Sequence, residues 1–360
     1  MAPTFGIVFL LIAFLGSCYA EDEQVRIPLD MKRRLQDPTN AFYNWDTSST
    51  SPCHWNGITC NNARLVTAIN LDNTGLIGPI PSSLCGLSAL KAIQLGENSL
   101  YGSIADVFWK NCSQLEILNL TTSSLVGSLL DFFVLGSLQV LELANNNFSG
   151  KFPLYVTKLS NLHSLDLNDN PLDPNIIPEE IYSMKELNVL WLSDLSLFGI
   201  ISPSIGNLTE LVDLQLSHNY LNGSIPKEIK RLSKIHELDL WHNCLAGEIP
   251  SGLTELVPQK LESLSNFSAM EISENHLTGP LPPDTCKSEK LAFYLALQNS
   301  FTGGIPESYG NCSTLVRFRV NNNSLSGMVP LGIWGLPHVH VFALSDNKFE
   351  GEISREIKNA

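Results

Sequence analysis

The sequence predicts an α/β repeat fold: a right-handed solenoid whose turns stack into one parallel β-sheet on a concave face. Three observations predict it. Of 360 residues, 57 are Leu and 31 are Asn while only 16% are charged, so the polar surface is built from amides and hydroxyls. The pattern Leu-x-x-Leu-x-Leu-x-x-Asn-x-Leu-x-Gly-x-Ile-Pro can be laid along the chain twelve times. The units begin at Val66, Leu90, Leu115, Leu138, Leu162, Leu187, Leu211, Ile235, Phe267, Leu291, Leu315 and Val339, with a step of 24, give or take one, broken by a 32-residue unit after Ile235.

Composition narrows the function classes. The net charge of −14 argues against binding nucleic acid or an anionic membrane surface. A hydrophobic content of 44% supplies an ample core and excludes intrinsic disorder. The repeat identifies the units as leucine-rich repeats and replaces the two or three domains that length alone suggests.

In chain order, residues 1–20 come first. Phe5 to Leu15 are almost wholly apolar, and Cys18-Tyr19-Ala20 ends in small residues suited to cleavage, although no Lys or Arg precedes the run. This predicts a signal peptide; a buried core helix is the alternative. Later runs fall short of the ~18 apolar residues of a membrane span, so the expectation is a secreted, unanchored chain. Eight Asn-x-Ser/Thr acceptors, at Asn111, Asn119, Asn147, Asn207, Asn222, Asn266, Asn311 and Asn322, agree with export, although an Asn-rich chain generates some by chance.

Residues 21–65 are expected to cap the solenoid, because the first repeat otherwise exposes its apolar end. Leu29, Leu35, Trp45 and Trp55 supply the cover, and a Cys53–Cys60 bridge would staple it. Residues 66–360 then form twelve repeats, the last incomplete. No closing cysteine pair follows Glu352-Ile353-Ser354, so the expectation is a truncated product or partial gene.

One unit explains the rest. In Leu211-Val-Asp-Leu214-Gln-Leu216, a period of two sends Leu214 and Leu216 inward while Asp213, Gln215 and Ser217 face out. Asn219 and its equivalents, present in nine of twelve units, should satisfy backbone groups of the adjoining turn. Thr74, Ser123 and Leu195 interrupt that ladder. Gly223 recurs in eleven of twelve units, where the backbone bends, and Ile225-Pro226 suits an extended segment that pairs little.

The Ile-Pro-containing 24-residue unit resembles the plant-specific leucine-rich repeat. Asp37-Pro38, Trp45 and Cys53-His-Trp-Asn-Gly-Ile-Thr-Cys60 resemble the N-terminal cap of plant leucine-rich-repeat receptor kinases. Asn299-Ser-Phe-Thr-Gly-Gly-Ile-Pro-Glu-Ser-Tyr-Gly-Asn-Cys312, Val316-Arg-Phe-Arg-Val320 and Gly332-Ile-Trp-Gly-Leu336 are similar to the HAIKU-type branch of subfamily XI. The resemblance implies a small secreted peptide as ligand and a co-receptor of the somatic-embryogenesis receptor kinase type if full length. It also implies a membrane helix and kinase, whose glycine-rich loop, His-Arg-Asp and Asp-Phe-Gly motifs are not in this sequence. The chain itself is therefore not expected to be an enzyme, and no cofactor is implied. If the natural protein continued into a membrane helix, it would lie at the cell membrane. The long unit at 235–266 reads as a scar where repeats are missing, which would remove part of the peptide groove and the co-receptor surface.

Outward strand positions predict the site. One column reads Asn70, Gln94, Asn119, Glu142, Asp166, Trp191, Gln215, Asp239, Glu271, Leu295, Arg319, Ala343. Arg317 and Arg319 lie two apart on one strand and leave by the same face, a geometry suited to a carboxylate. The resemblance makes them the Arg-x-Arg seat of a peptide's C-terminal carboxylate; two exposed arginines can also simply offset nearby acids. Trp191 and Trp241 are candidate apolar contacts, unless glycans or neighbours cover them. Glu142, Asp166, Asp239 and Glu271 would favour a basic peptide body or serve as solubilising charge. A glycan on Asn119 would project from this face.

Cys85 with Cys112, and Cys286 with Cys312, sit near the ends of adjacent repeats and suit bridges between stacked turns, which leaves Cys244 over. His218, His236, His242 and His276 read as scattered; zinc at His236 and His242 is weakly supported, so no metal site is expected. The leading function is a peptide-binding ectodomain, with a soluble decoy as one form of it. The alternatives are a secreted inhibitor of microbial cell-wall enzymes, resembling polygalacturonase inhibitors, and a non-functional product.

Overall fold

The computed structural model describes residues 22–129, 135–250, 267–286, 290–355 and 357. The expected signal peptide, the Asn266 acceptor and the 251–266 part of the suspected scar at 235–266 lie outside them.

A helix, α1 (Glu23–Arg34), starts where the Asp22 carboxylate accepts a bond from the Gln24 amide at 3.0 Å, and it closes on Lys32, Arg33 and Arg34. Val25, Ile27, Leu29 and Met31 are buried against the first turns of the solenoid. Trp45 stacks on Trp55 with ring centroids 5.4 Å apart, and its indole N–H donates to the Asn56 carbonyl at 2.9 Å. The Gln24 side chain accepts the Val66 amide at 2.7 Å, joining the helix to the first repeat strand. A Cys53–Cys60 disulfide lies beside strand β1 (Ile58–Cys60), which pairs antiparallel with β2 (Val66–Asn70).

From there every repeat adds one parallel strand, giving a 13-stranded concave sheet that ends at 341–343. The register runs from Asn70 opposite Gln94 to Arg319 opposite Ala343 without a slip. It holds even across the 32-residue unit, where Glu237, Leu238 and Asp239 face Ala269, Met270 and Glu271. Leu211, Leu214 and Leu216, the inward set of one unit, are all essentially unexposed.

The Asn ladder is visible bond by bond. Asn219 Nδ2 donates to the carbonyls of Leu192, Leu216 and Ser217, while Oδ1 accepts the Leu195 and Leu197 amides. Leu195 itself is 1% exposed and offers no such bonds, but Asn170 and Asn219 on either side satisfy the Leu167 and Leu192 carbonyls. Thr74 uses its hydroxyl to donate to the Leu71 carbonyl, and Ser123 donates to the Asn98 carbonyl. The two hydroxyl substitutes thus stay partnered.

One feature exceeds the sequence reading. Ile225-Pro226 is unpaired as expected, but the residues leading into each Gly form a second, flanking sheet system. It has a four-stranded part from 77–78 to 147–148 and a seven-stranded part from 198–200 to 348–350. Between them lies the unit with Pro171 and Pro174, reduced to the single bridges Gly150–Leu172 and Asn175–Leu197. Proline has no N–H to give a ladder, which accounts for the gap. The convex side is built largely from short 3-10 turns such as 203–207 and 227–231. Disulfides join Cys85 to Cys112 and Cys286 to Cys312, and Cys244 is free and exposed.

Candidate functional site: the concave face

The predicted column exists as continuous register, with Glu142, Asp166, Trp191, Gln215, Asp239, Glu271, Leu295 and Arg319 on successive strands. Its middle is acidic and partly dry. Burial pushes the Asp166 carboxyl up to about 7, the Asn168 amide opposes this, and the Glu142 carboxylate adds to it. Burial likewise raises Asp213 to about 6, with the neighbouring carboxylates Glu237 and Asp239 reinforcing the shift. Asp239 and Glu271 are raised for the same first cause, although each accepts a serine or backbone bond that pulls it back.

The tryptophans sit lower than a sequence-only view suggests. Trp191 and Trp241 are half-buried rather than fully presented. The Trp191 indole partly offsets the rise at Asp213, although its buried N–H has no hydrogen-bond partner among the described residues. Trp241 packs edge-on against His218, ring centroids 4.2 Å apart.

Arg317 and Arg319 share a strand and a face, yet they have different surroundings. Arg317 is exposed, with its guanidinium 5.8 Å from the centre of the Phe293 ring. Arg319 is half-buried, lies within electrostatic reach of Glu271, and has a buried Nε without a partner. Asn119 occupies the same column, and its Oδ1 accepts the Thr121 amide at 3.0 Å and hydroxyl at 2.9 Å.

The reading of the histidines as scattered needs correcting. Beside the concave sheet, one position of every unit, from Asn73 to Asp346, adopts φ of 50 to 55° with a non-glycine residue. Asp194, His218, His242 and Glu274 fill this position in four consecutive units and form a row. The two imidazoles are 4.7 Å apart, Asp194 lies 3.7 Å from His218 Nδ1, and Glu274 lies 2.8 Å from His242 Nδ1. Stacking turns bring residues 24 apart together, so the spacing of 218 and 242 was the signal available in the sequence. Among the described residues no group of three or more His, Cys, Asp or Glu is placed to hold a metal ion.

Residues 22–61 match the family described as leucine rich repeat N-terminal domain. Residues 137–159, 161–184, 210–232 and 234–256 match the family described as Leucine Rich Repeat. The chain folds as a leucine-rich-repeat solenoid similar to the ectodomains of plant receptor-like kinases. This leucine-rich-repeat chain is 37% identical to receptor-like protein kinase 7 of Arabidopsis thaliana over 204 residues, which is 55% of the chain and 21% of that relative. Such alignments span about a fifth of the length of the receptor kinases matched. Among solved structures it is similar to the Arabidopsis receptor kinase HAESA in complex with the peptide hormone IDA and the co-receptor SERK1. There the TM-score is 0.58 at 28% identity, covering 94% of this chain and 72% of that one. It is also similar to PEPR1 bound to AtPEP1, with a TM-score of 0.72 at 26% identity, covering 93% and 50% of the two chains. The matches fall on extracellular repeats, and among the described residues no helix is long and apolar enough to cross a membrane.

Proposed function

We propose that this chain binds a small secreted peptide outside the cell, along its concave face, as the ectodomain of a plant receptor-like kinase. The carrying observation is the Arg317/Arg319 pair on one strand face, at one end of a column whose middle is acidic and carries tryptophan. In this reading the arginines take the peptide's C-terminal carboxylate, while Asp239, Glu271, Trp191 and Trp241 contact its body. The unpartnered Arg319 Nε supports it, since an anion supplies the missing acceptor. So does the similarity to receptors solved with peptide hormones and with a co-receptor kinase. The finer placement in the HAIKU-type branch of subfamily XI rests on the motifs at 299–312 and 316–336. A somatic-embryogenesis-type kinase is the co-receptor this placement implies. A chain of these repeats alone would sequester peptide without signalling.

The test is calorimetric titration with synthetic secreted peptides, each paired with its C-terminally amidated twin. Charge-assisted hydrogen bonds contribute ~1.5–3 kcal/mol each, so amidation or the double change R317A/R319A should weaken binding by about two to four orders of magnitude. Equal affinity of both twins for both proteins would overturn the carboxylate seat.

A further inference from the structure

On the flank formed by the seven-stranded sheet, three apolar side chains stand together in water. Phe198 is 45% exposed, Ile200 60% and Tyr220 64%. Phe198 pairs with Tyr220 and Ile200 pairs with Asn222 in parallel register, so all four side chains leave the sheet on one side. On the other side of Asn222 the register partner is Cys244, the free, exposed thiol. Asn222 is therefore the centre of this patch. Tyr220 lies two residues before it on the same strand, Ile200 lies on one neighbouring strand, and Cys244 lies on the other.

Asn222-Gly223-Ser224 is an N-glycosylation acceptor, and all three residues are exposed. We propose that Asn222 carries an N-linked glycan whose first sugar covers Tyr220 and Ile200 and screens the Cys244 thiol. The donor is a lipid-pyrophosphate-linked oligosaccharide. The Asn222 amide nitrogen forms a bond to C1 of its first sugar and gives up a proton, while the C1–O bond breaks and the lipid pyrophosphate leaves with the electron pair. A hexosamine ring has a face of C–H groups that lies well on an aromatic or branched aliphatic side chain. Strand spacing of ~4.8 Å, and ~6.7 Å between alternate residues of one strand, place Ile200, Cys244 and Tyr220 within one sugar of the linkage. One modification thus accounts for apolar side chains left in water and for an exposed thiol in an exported chain whose other described cysteines are bridged. Asn147 provides the internal comparison: it lies in the four-stranded part of the same flank, with Val126 as register partner and no thiol beside it.

The experiment uses the chain secreted from plant or insect cells. Glycopeptide mass spectrometry reads occupancy at Asn222, and a polyethylene-glycol maleimide reads the Cys244 labelling rate. The expected result is an occupied Asn222 and labelling at least tenfold faster in Ser224→Ala, which keeps Asn222 but loses the acceptor. Asn147→Gln should leave the rate unchanged. An unoccupied Asn222, or equal rates in the occupied protein and Ser224→Ala, would overturn the proposal. Labelling of Ser224→Ala that slows with protein concentration would assign the patch to a second copy instead, and overturn it equally.

Discussion

His218 and His242, one repeat apart in sequence, hold their rings 4.7 Å apart, and each has a carboxylate on its far side. The contact is not made by a local turn. It follows from a constant step between units and a left-handed backbone position that recurs in every one. Any two residues at that position in neighbouring units are brought side by side, whatever their chemistry.

The His242 bond is the first cause holding Glu274 below the ordinary carboxylate range, with Trp241 and the His218 charge also contributing. His242→Ala should therefore raise the Glu274 pKa, read by NMR titration of its side-chain carboxyl. A depressed carboxylate stabilises the fold above its unfolded pKa and loses that contribution as pH falls through the folded value. The variant should be less sensitive to that fall. An unmoved Glu274 titration would mean the contact is not made in solution.

Asp166 has the opposite sign. Its folded pKa of about 7 stands above the ordinary 3.8, so the folded state holds a proton that the unfolded state has released. Its contribution to stability is complete below pH 4 and falls as pH rises towards 7. Asp166→Asn keeps an acceptor for the Asn168 amide and removes the buried charge. It should gain about 1–3 kcal/mol over the native chain at pH 8 and little at pH 4, measured by denaturant unfolding at both pH values. A pH-independent difference would contradict the burial argument.

Asn219→Ala strips two acceptor and three donor contacts from one buried amide. Each backbone group left unpaired costs about 1–3 kcal/mol, and not all can find new partners, so a loss of at least about 3 kcal/mol is expected. Hydrogen exchange should locate the weakening at Leu195 and Leu197 amides. A change below about 1 kcal/mol would show the ladder to be redundant.

Gly223 combines φ of +74° with an imagined Cβ only 2.9 Å from Ile200 Cγ2. Gly223→Ala should cost about 1–2 kcal/mol, read as a lowered unfolding midpoint. Gly327 has φ of +77° and open space around it, so Gly327→Ala isolates the backbone share and should cost less.

The fold was legible because its information is periodic. Leu214 and Leu216 are buried and Asp213 and Gln215 stay partly exposed, as a period of two requires. Ser217, expected outward with them, is instead buried, with its hydroxyl bonded to Ser193 and Asp239. The unit starts set the register of the concave column. What the sequence concealed is what depends on the stagger between turns. The flanking sheet arises because Ile200 meets Asn222 and Asn222 meets Cys244, pairings offset by two residues from the repeat phase. The half-burial of Trp191 and Trp241 depends on the sizes of neighbouring side chains, which no motif encodes. The His218–His242 contact was readable in principle, by asking of each polar residue what stands one unit later.

The unbroken register from Asp239 to Glu271 makes the groove a ruler with one pitch. An extended chain advances ~3.3 Å per residue and adjacent strands lie ~4.8 Å apart, so the two scales form a vernier in which three ligand residues match two turns. Trp191 and Asp239 lie two turns apart in one column, so residues i and i+3 of an extended ligand would meet them together. Surplus length between 239 and 269 adds no graduation to that ruler, and a ligand laid along it would pass the long unit without losing phase.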